Sequence, residues 1–576
     1  MATWPDRFPG RLEYEVEDFA DRDLEFTLDE SLLGRGGPVV MRGALEHKGK
    51  RIALEVVYPD SFPFLRPEVY ARELRLGRHQ NPYEGNLCLL DRSTRAWDAD
   101  WTAARLVAER VRYLLDLLEE GGEALRAAEA AQGEPASAFF PTLRGAAVFV
   151  PAAMLGLPHD AGTGRARLAF SSQEPPQIVI RALLADVHTR VRKGKRRNGK
   201  RRNLGSADAT LRRRFSDGRT LEIAWTRLDA LPESNAPADL LAAARAPGSG
   251  VGMTGWQRVD DGEVSITGCI FQEEVRQGVY EDAWLFLVEY RGAGGNGVYT
   301  VRGERLSDDD LGDRIPALAP LRERTVSLAG LGALGGPLAL ELARAQLARL
   351  RTLETDFVEA GNIVRWPVGL RAVGHAKTAV IAGTITADYP YTAIDAREHQ
   401  IGRAALEEEV GEPEMKALER FVEGADLLID ATAEIGIGQL LSHIADGRRV
   451  AQLYVSATEG ALGGIVARVR PGRTGCWFCL RLHLERGTIP VPPRDETGTF
   501  QPRGCATATF TGANFDLLPI VAQAARMAAD LLVDPETDAQ DVAIMSFQDG
   551  ASRRAAPQWR CFTLAPQADC PQCGST

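Results

Sequence analysis

The chain has little cysteine, no long apolar run and no surplus of positive charge, and each shortage removes a class of function. No stretch reaches the roughly 18–20 consecutive apolar residues that cross a bilayer. The longest, near Ala146–Leu157, is interrupted by Pro151, so no membrane partner is expected. The opening MATWPDRFPG lacks the charged-then-apolar layout of a secretory signal, and a cytoplasmic location is expected by default. Eight cysteines in 576 residues are too few for a disulfide scaffold and read as metal ligands, nucleophiles or core residues. With 79 acidic against 68 basic residues, the net charge of -11 argues against nucleic-acid binding. One local exception runs from Arg190 to Arg202, nine Lys/Arg in thirteen residues with no aromatic among them. It reads either as a solvated loop or as a contact for an acidic partner or nucleic acid.

What is present is an ordinary globular composition, 44% hydrophobic and 26% charged. The length allows about two to four domains. From Arg11 to about Tyr70, runs such as LEYEVEDF and RIALEVVY between Gly and Pro signals predict an antiparallel sheet. Leu106, Val107, Val111, Leu114, Leu115 and Leu118 recur at helical spacing and predict a helix from Thr102 to about Ala131. Residues 1–133 are thus read as an α+β domain. Residues 134–316 form a middle domain of uncertain fold, with strands at FLVEY and VYTV flanking the stretch RGAGGNG. From 317 to 576 strands alternate with helices: TVSLA before a glycine turn, RLRTLETDF, LLIDAT, and a helix through FDLLPIVAQAARMAADLL. That alternation predicts a doubly wound α/β domain, and α/β is the expected class of the whole.

Gly330-Leu-Gly332-Ala-Leu-Gly335 follows an apolar strand and opens a helix, a context in which backbone amides and a helix N-terminus approach phosphates. Alone, the pattern equally suits a dehydrogenase or a tight structural turn. Further on stand Glu354 and Asp356, then Asn362 and Arg365, then Lys377 in VGHAKT. This ordered set resembles the ThiF/MoeB/ubiquitin-activating enzyme superfamily. The resemblance implies a Rossmann-like adenylation domain in which a carboxylate attacks the α-phosphate of ATP in the presence of Mg²⁺. Arg365 and Lys377 would offset phosphate charge, Glu354 would bind the ribose, Asn362 would position the phosphates, and Asp356 with the three glycines would complete the nucleotide site. Asp430 falls where the family carries an acidic segment near magnesium. This chain departs there, reading Asp430-Ala-Thr-Ala-Glu434 without a second aspartate, and carries Glu354 where Asp is usual. Asp430 is favoured over Glu434 for Mg²⁺ because it ends a strand at the switch-point face.

Cys476-Trp-Phe-Cys479 and Cys570-Pro-Gln-Cys573 offer four thiolates in two short turns, a ligand set for tetrahedral Zn²⁺. A redox role for either pair is the alternative, in a context unlike thioredoxin's. Two distant pairs closing one zinc site are again similar to the ThiF/MoeB superfamily. Cys505 stands between the pairs, just before an apolar helix, in the kind of segment where activating enzymes of that superfamily carry a thioester cysteine; a buried structural cysteine is the other reading.

Near the N-terminus, a Pro-rich stretch precedes His79-Gln80-Asn81, Gly85-Asn-Leu-Cys88-Leu89, and then Trp97 and Trp101 before a helix. This order resembles the core of ubiquitin-conjugating enzymes, over roughly the first 125 residues. The resemblance implies Cys88 as acyl-carrying nucleophile and Asn81 as oxyanion donor or loop-orienting residue, with Gln80 in place of the motif's proline. A buried core thiol in a conjugating-like fold used only for binding is the alternative. Together the halves imply a relay in which a ubiquitin-like protein, or the C-terminal tail of a CD-NTase, is adenylated, carried on Cys505, then on Cys88, and delivered to a lysine or other amine. The order of parts resembles bacterial fusion proteins of CBASS antiphage defence, and the superfamily implies a homodimer. Two rivals are a sulfur-carrier adenylyltransferase and a non-catalytic nucleotide-binding scaffold.

Overall fold

The computed structural model describes residues 3–89, 97–121, 133–158, 161–174, 177–189, 202–216, 218–247, 254–293, 295–402, 414–501, 509–537, 540–549 and 553–574. The chain divides into two compact units, Met1–Leu306 and Ser307–Thr576.

The first unit opens with an antiparallel sheet of β1 (Glu25–Leu28), β2 (Val40–His47), β3 (Lys50–Val57) and β4 (Glu68–Tyr70), in sequential order. Strands β2 and β3 are joined at Lys48-Gly49, both at positive φ, as a two-residue hairpin turn that matches strand twist requires. RIALEVVY is therefore a strand, as expected. LEYEVEDF is not. It lies in a helix, Arg11–Asp21, that buries Glu15 and Phe19 and leaves Tyr14 and Val16 exposed. The alternating Leu12, Tyr14 and Val16 suggested a strand, but the inward residue is a glutamate. Glu15 accepts from Tyr58 Oη at 3.0 Å and from the Ala103 amide at 2.8 Å, and pairs with Arg11 at 2.9 Å. Its carboxylate thus sits at the start of a later helix, where the free amides of a helix N-terminus favour an anion. That helix begins at Ala103 behind Thr102, whose Oγ1 accepts from the Arg105 amide at 3.0 Å, and continues through a π turn to Glu120. The expected extension toward Ala131 lies outside the described residues.

The middle segment, whose fold the sequence pattern left open, is a β-barrel. Its strands are β5 (Ala147–Val150), β6 (Ala161–Glu174), β7 (Gln177–Thr189), β8 (Asn203–Ser206), β9 (Thr220–Arg227), β10 (Gln257–Val259), β11 (Gly262–Arg276), β12 (Val279–Gly292) and β13 (Gly295–Arg305). The order β11-β12-β13-β5-β7-β6-β9 closes on itself because β9 also pairs with β11. Closure removes free sheet edges, and side chains fill the interior. Trp225, Trp284 and Phe286 are buried there. A Cβ on Gly268 would lie 2.7 Å from the Trp284 ring, and one on Gly162 2.8 Å from Trp225. The indoles lie over positions where the backbone carries no side chain. FLVEY and VYTV fall in β12 and β13, as expected.

The second unit holds an eight-stranded sheet. Its members are β14 (Thr325–Ala329), β15 (Arg349–Glu354), β16 (Ala393–Glu398), β17 (Leu427–Asp430), β18 (Ala451–Ala457), β19 (Gly463–Val469), β22 (Val542–Gln548) and β23 (Arg554–Phe562); β20 (Thr499–Phe500) and β21 (Thr509–Phe510) form a separate pair. The order is β16-β15-β14-β17-β18-β19-β22-β23, parallel as far as β18 and antiparallel beyond. Strand β14 is buried from Val326 to Ala329, as a parallel strand covered on both faces must be, and its one buried hydroxyl, Ser327 Oγ, donates to the Phe421 carbonyl at 2.5 Å. Chain direction across the sheet reverses between β14 and β17, the topological switch point where open α/β sheets bind ligands beyond their carboxyl ends.

Candidate functional site

Gly330 and Asp430 stand at the carboxyl ends of these two strands, with Ala329 and Asp430 opposite each other in the ladder. Gly330 has φ of 86°, and a Cβ there would lie 2.8 Å from the Ala431 backbone; a Cβ on Gly335 would meet the Gly330 carbonyl oxygen at 1.9 Å. These two glycines make the turn. Gly332 faces open space and leaves bare backbone for a ligand to approach. The helix Gly335–Arg344 follows at once. Trp366, which the motif reading passed over, donates from Nε1 to the Leu331 carbonyl at 2.8 Å and braces the turn. Its signal was its place beside Arg365.

Glu354 ends β15 and accepts from the amides of Leu331 at 2.8 Å, Thr355 at 2.7 Å and Asp356 at 3.1 Å. It lines the cleft while tying the glycine turn to the neighbouring strand. Lys377 begins the helix Lys377–Asp388. Its side chain is only 9% exposed, and its Nζ lies 2.9 Å from Asp356. Asn362 sits in a short 3₁₀ turn, Ala360–Val364, with Oδ1 accepting from the Glu359 amide at 3.1 Å. Arg365 is half-buried; it donates to the Phe510 carbonyl and to Thr509 Oγ1 at 2.6 Å, and lies 4.5 Å from the Phe510 ring centroid. Desolvation draws its pKa below the ordinary arginine value. The guanidinium nonetheless remains a cation at neutral pH. Two adjoining cavities of about 690 and 760 Å³ share Gly332, Thr355, Asp356, Lys377 and Gln400. The first reaches Asn362 and Arg365, the second Gly330, Glu354 and Glu434. All the expected nucleotide-site residues of this unit except Asp430 therefore line the paired cavity, or in the case of Gly335 shape the turn that floors it. Gln400, Thr509 and Phe510 join them without any motif to announce them.

Asp430 is buried immediately behind. Its Oδ1 accepts from the Thr432 amide at 3.0 Å and hydroxyl at 2.7 Å, while Oδ2 is buried with no hydrogen-bond partner among the described residues. Burial pushes this carboxyl above the usual aspartate range, and the Thr432 bonds offset that only in part. An orphaned carboxylate oxygen beside a polar cleft fits a cation ligand. Glu434, at the start of the helix Ile435–Gly447, is exposed and lines the second cavity.

The four expected metal-ligating thiols converge: Cys476 Sγ is 3.4 Å from Cys570 Sγ, and Cys479 Sγ is 3.3 Å from Cys573 Sγ. All four sulfurs lie within 4.8 Å of one another. Tetrahedral ligation at about 2.3 Å per Zn–S bond would place the sulfurs just under 4 Å apart. The amide of Gln567 donates to Cys479 Sγ at 3.3 Å. Burial pushes the Cys479 thiol up to about 11; at Cys570 burial is outweighed by the amides of Cys573 and Gln572, which draw it down to about 7. The donor set fits a thiolate-bound metal ion.

In the first unit Cys88 is exposed. Its amide donates to the His79 carbonyl at 2.7 Å, and Asn81 exchanges backbone bonds with Asn86 and Gly85, so the two motif segments form one folded-back loop. Gln80 is buried; its amide nitrogen donates to the Ala71 and Leu74 carbonyls at 2.8 and 3.1 Å, and its oxygen accepts from the Leu76 amide at 2.8 Å. The glutamine shapes the loop through bonds that a proline could not make. Asn81 Oδ1 accepts from the amides of Tyr83 and Glu84, which leaves its amide nitrogen as the donor. Cys88 and Asn81 line one cleft of about 200 Å³. Cys505 and residues 190–201 of the basic run lie outside the described residues.

A family model described as "ThiF family" matches residues 312–539. The chain is 32% identical over 561 residues to protein y4oA of Sinorhizobium fredii (strain NBRC 101917 / NGR234), covering 91% of this chain and 90% of that protein. It is 26% identical over 137 residues to the ATP-dependent ubiquitin transferase-like protein Cap2 of Enterobacter hormaechei subsp. hoffmannii (strain UCI 50), covering 24% of this chain and 21% of that protein. It is also 25% identical over 257 residues to the sulfur carrier protein ThiS adenylyltransferase of Escherichia coli (strain K12), covering 44% of this chain and 88% of that protein. The chain belongs to one family with y4oA along nearly its whole length, and its C-terminal half carries a ThiF-family adenylation domain.

Proposed function

We propose that this protein adenylates the C-terminal carboxylate of a ubiquitin-like protein or a comparable tail and passes the acyl group through cysteine thioesters to an amine. The observation that carries the reading is the cleft at the β14/β17 switch point, where Lys377 and Arg365 flank bare glycine backbone. A carboxylate oxygen attacks the α-phosphorus of ATP, the bond to the β-phosphate bridge oxygen breaks, and pyrophosphate leaves. Lys377 and Arg365 stabilise the charge that spreads over the phosphate oxygens. Lys377 must turn from Asp356 and Arg365 from Phe510 to do so, and both are already within the cleft. Glu354 holds the glycine turn and faces the ribose, and Asn362 orients the phosphates. Asp430, with Glu434 near it, would hold Mg²⁺, which when bound neutralises phosphate charge. The four-cysteine cluster would hold Zn²⁺ as a structural ion.

In the later steps the Cys505 thiolate attacks the acyl carbon and AMP leaves. The Cys88 thiolate then forms a new C–S bond as the C–S bond to Cys505 breaks. Finally an amine forms the C–N bond, gives up a proton, and releases Cys88 as thiolate. The amide nitrogen of Asn81, beside Cys88 in the cleft, donates to the oxyanion. Support for this second half comes from the fold-back of His79–Asn81 onto Cys88, and from the likeness to Cap2. A role in antiphage defence and a homodimeric state go with this reading.

The test is to incubate the protein with ATP, Mg²⁺ and candidate proteins from its genomic neighbourhood and to run non-reducing gels. Reducible adducts lost separately in Cys88→Ala and Cys505→Ala are expected. Adenylation with no thiol-sensitive adduct would leave a sulfur-carrier type of adenylyltransferase, the activity named for the E. coli relative. No adenylation at all would leave a nucleotide-binding scaffold.

A further inference from the structure

The barrel places a hairpin end against the loop that carries Cys88. At the end of β11, Glu274 is 6% exposed and pairs with Arg78, the residue before the His79–Asn81 segment. The same carboxylate accepts from the Gly278 amide at 2.7 Å, across the turn, and from the Glu134 amide at 3.2 Å. Glu134 in turn accepts from the His79 amide at 2.8 and 3.0 Å, and its carboxylate lies 3.2 Å from His79 Nδ1. His79 has φ of 58°, in the left-handed region that few non-glycine residues occupy. Its carbonyl is the acceptor for the Cys88 amide. An unbroken chain of bonds therefore runs from the barrel hairpin through Glu274, Arg78 and Glu134 to His79 and Cys88. The approach is close: a Cβ on Gly133 would lie 2.4 Å from the Val275 backbone. Phe139 and Ala138, also from the segment leading into the barrel, line the Cys88 cleft.

We infer that the barrel is part of the Cys88 site, with Glu274 and Glu134 as positioning residues that hold the His79–Asn81 loop in the shape acyl transfer needs. The middle segment is then more than a spacer. A charge-assisted pair this well buried loses most when one partner is removed, because the other is left uncompensated. The inference rests on the reading of Cys88 as an acyl carrier, so the experiment takes two measurements, one of which needs no acyl donor.

Amide hydrogen exchange in the full chain reports the loop directly. In Glu274→Gln and in Arg78→Gln, peptides spanning 78–88 are expected to exchange at least about tenfold faster than in the wild type, with peptides from β2 and β3 unchanged. The double variant is expected to add little to either single one, because both break the same pair. The second measurement is discharge of the Cys88 thioester to free lysine, expected to slow about tenfold while ATP–pyrophosphate exchange stays at the wild-type rate. Buried Cys269 lies on the outer face of β11, packed with Phe140, Leu240 and Leu285, and reacts with a thiol reagent only if that layer comes away from the barrel. If Glu274→Gln exposes it, Arg78→Gln breaks the pair from the loop side. Faster exchange in a protein that never loads Cys88 would uphold the positioning and sink the acyl-carrier reading. Unchanged loop exchange in both variants, or fully additive effects, would overturn the inference.

Discussion

At the end of β17 a carboxylate is kept from water with one oxygen unpartnered among the described residues, and that arrangement costs the ligand-free protein stability. Below the usual aspartate range both the folded and unfolded chains are protonated at Asp430. As pH rises, the unfolded chain ionises first because burial raises only the folded pKa, so stability falls until the folded group ionises as well. Asp430→Asn removes this titration. The melting temperature of the variant minus that of the wild type, followed by calorimetry without ligand, is expected to grow as pH rises from about 4 toward 7. ATP-dependent exchange should be lost in the same variant. Lys377 makes a separate prediction, since its ammonium pairs only with the exposed Asp356 among the described contacts and is otherwise held inside the cleft. Lys377→Ala should slow pyrophosphate exchange by about a hundredfold or more, the usual effect of removing one donor to a charged transition state. The melting temperature should change by no more than a few degrees. A variant with near-normal exchange would remove Lys377 from the phosphate site.

At the level of elements, what was legible was local. A strand, a glycine turn and a helix are contiguous, so Gly330–Gly335 disclosed both its fold and its place in the cleft; the order Asn362, Arg365, Lys377 did the same for the cavity wall. The thiol cluster was legible although its halves are far apart, because each Cys-x-x-Cys turn carries its own signature. The helix Arg11–Asp21 was not, because its inward face holds Glu15, whose partners Tyr58 and Ala103 come from other elements. The barrel was illegible for a related reason. Its closure depends on β9 meeting β11 and on glycines making room for Trp225 and Trp284, neither of which leaves a short-range pattern. The cysteine cluster carries its own test. Elemental analysis should find zinc at one ion per chain, and Cys570→Ser or a strong chelator should lower the melting temperature of the second unit by several degrees or more. A metal-free protein with unchanged melting after Cys570→Ser would reduce the cluster to four core thiols.

At the scale of the whole chain, a ThiF-family adenylation domain follows a first unit in which a barrel hairpin is bonded to the segment leading into the Cys88 loop. The adenylation domain stands on its own residues; the proposed relay depends on Cys88, which is exposed, and on Cys505, which the described residues do not include. Adenylation of a protein tail is the claim on which the later steps depend. The direct measurement is ATP–pyrophosphate exchange by the full chain with candidate partners that end in a free carboxylate. Exchange is expected to require the partner and Mg²⁺, to fall away in Lys377→Ala, and to disappear when the partner's C-terminus is amidated. Exchange that persists with the amidated partner, or is absent with every partner carrying a free tail, would contradict that claim.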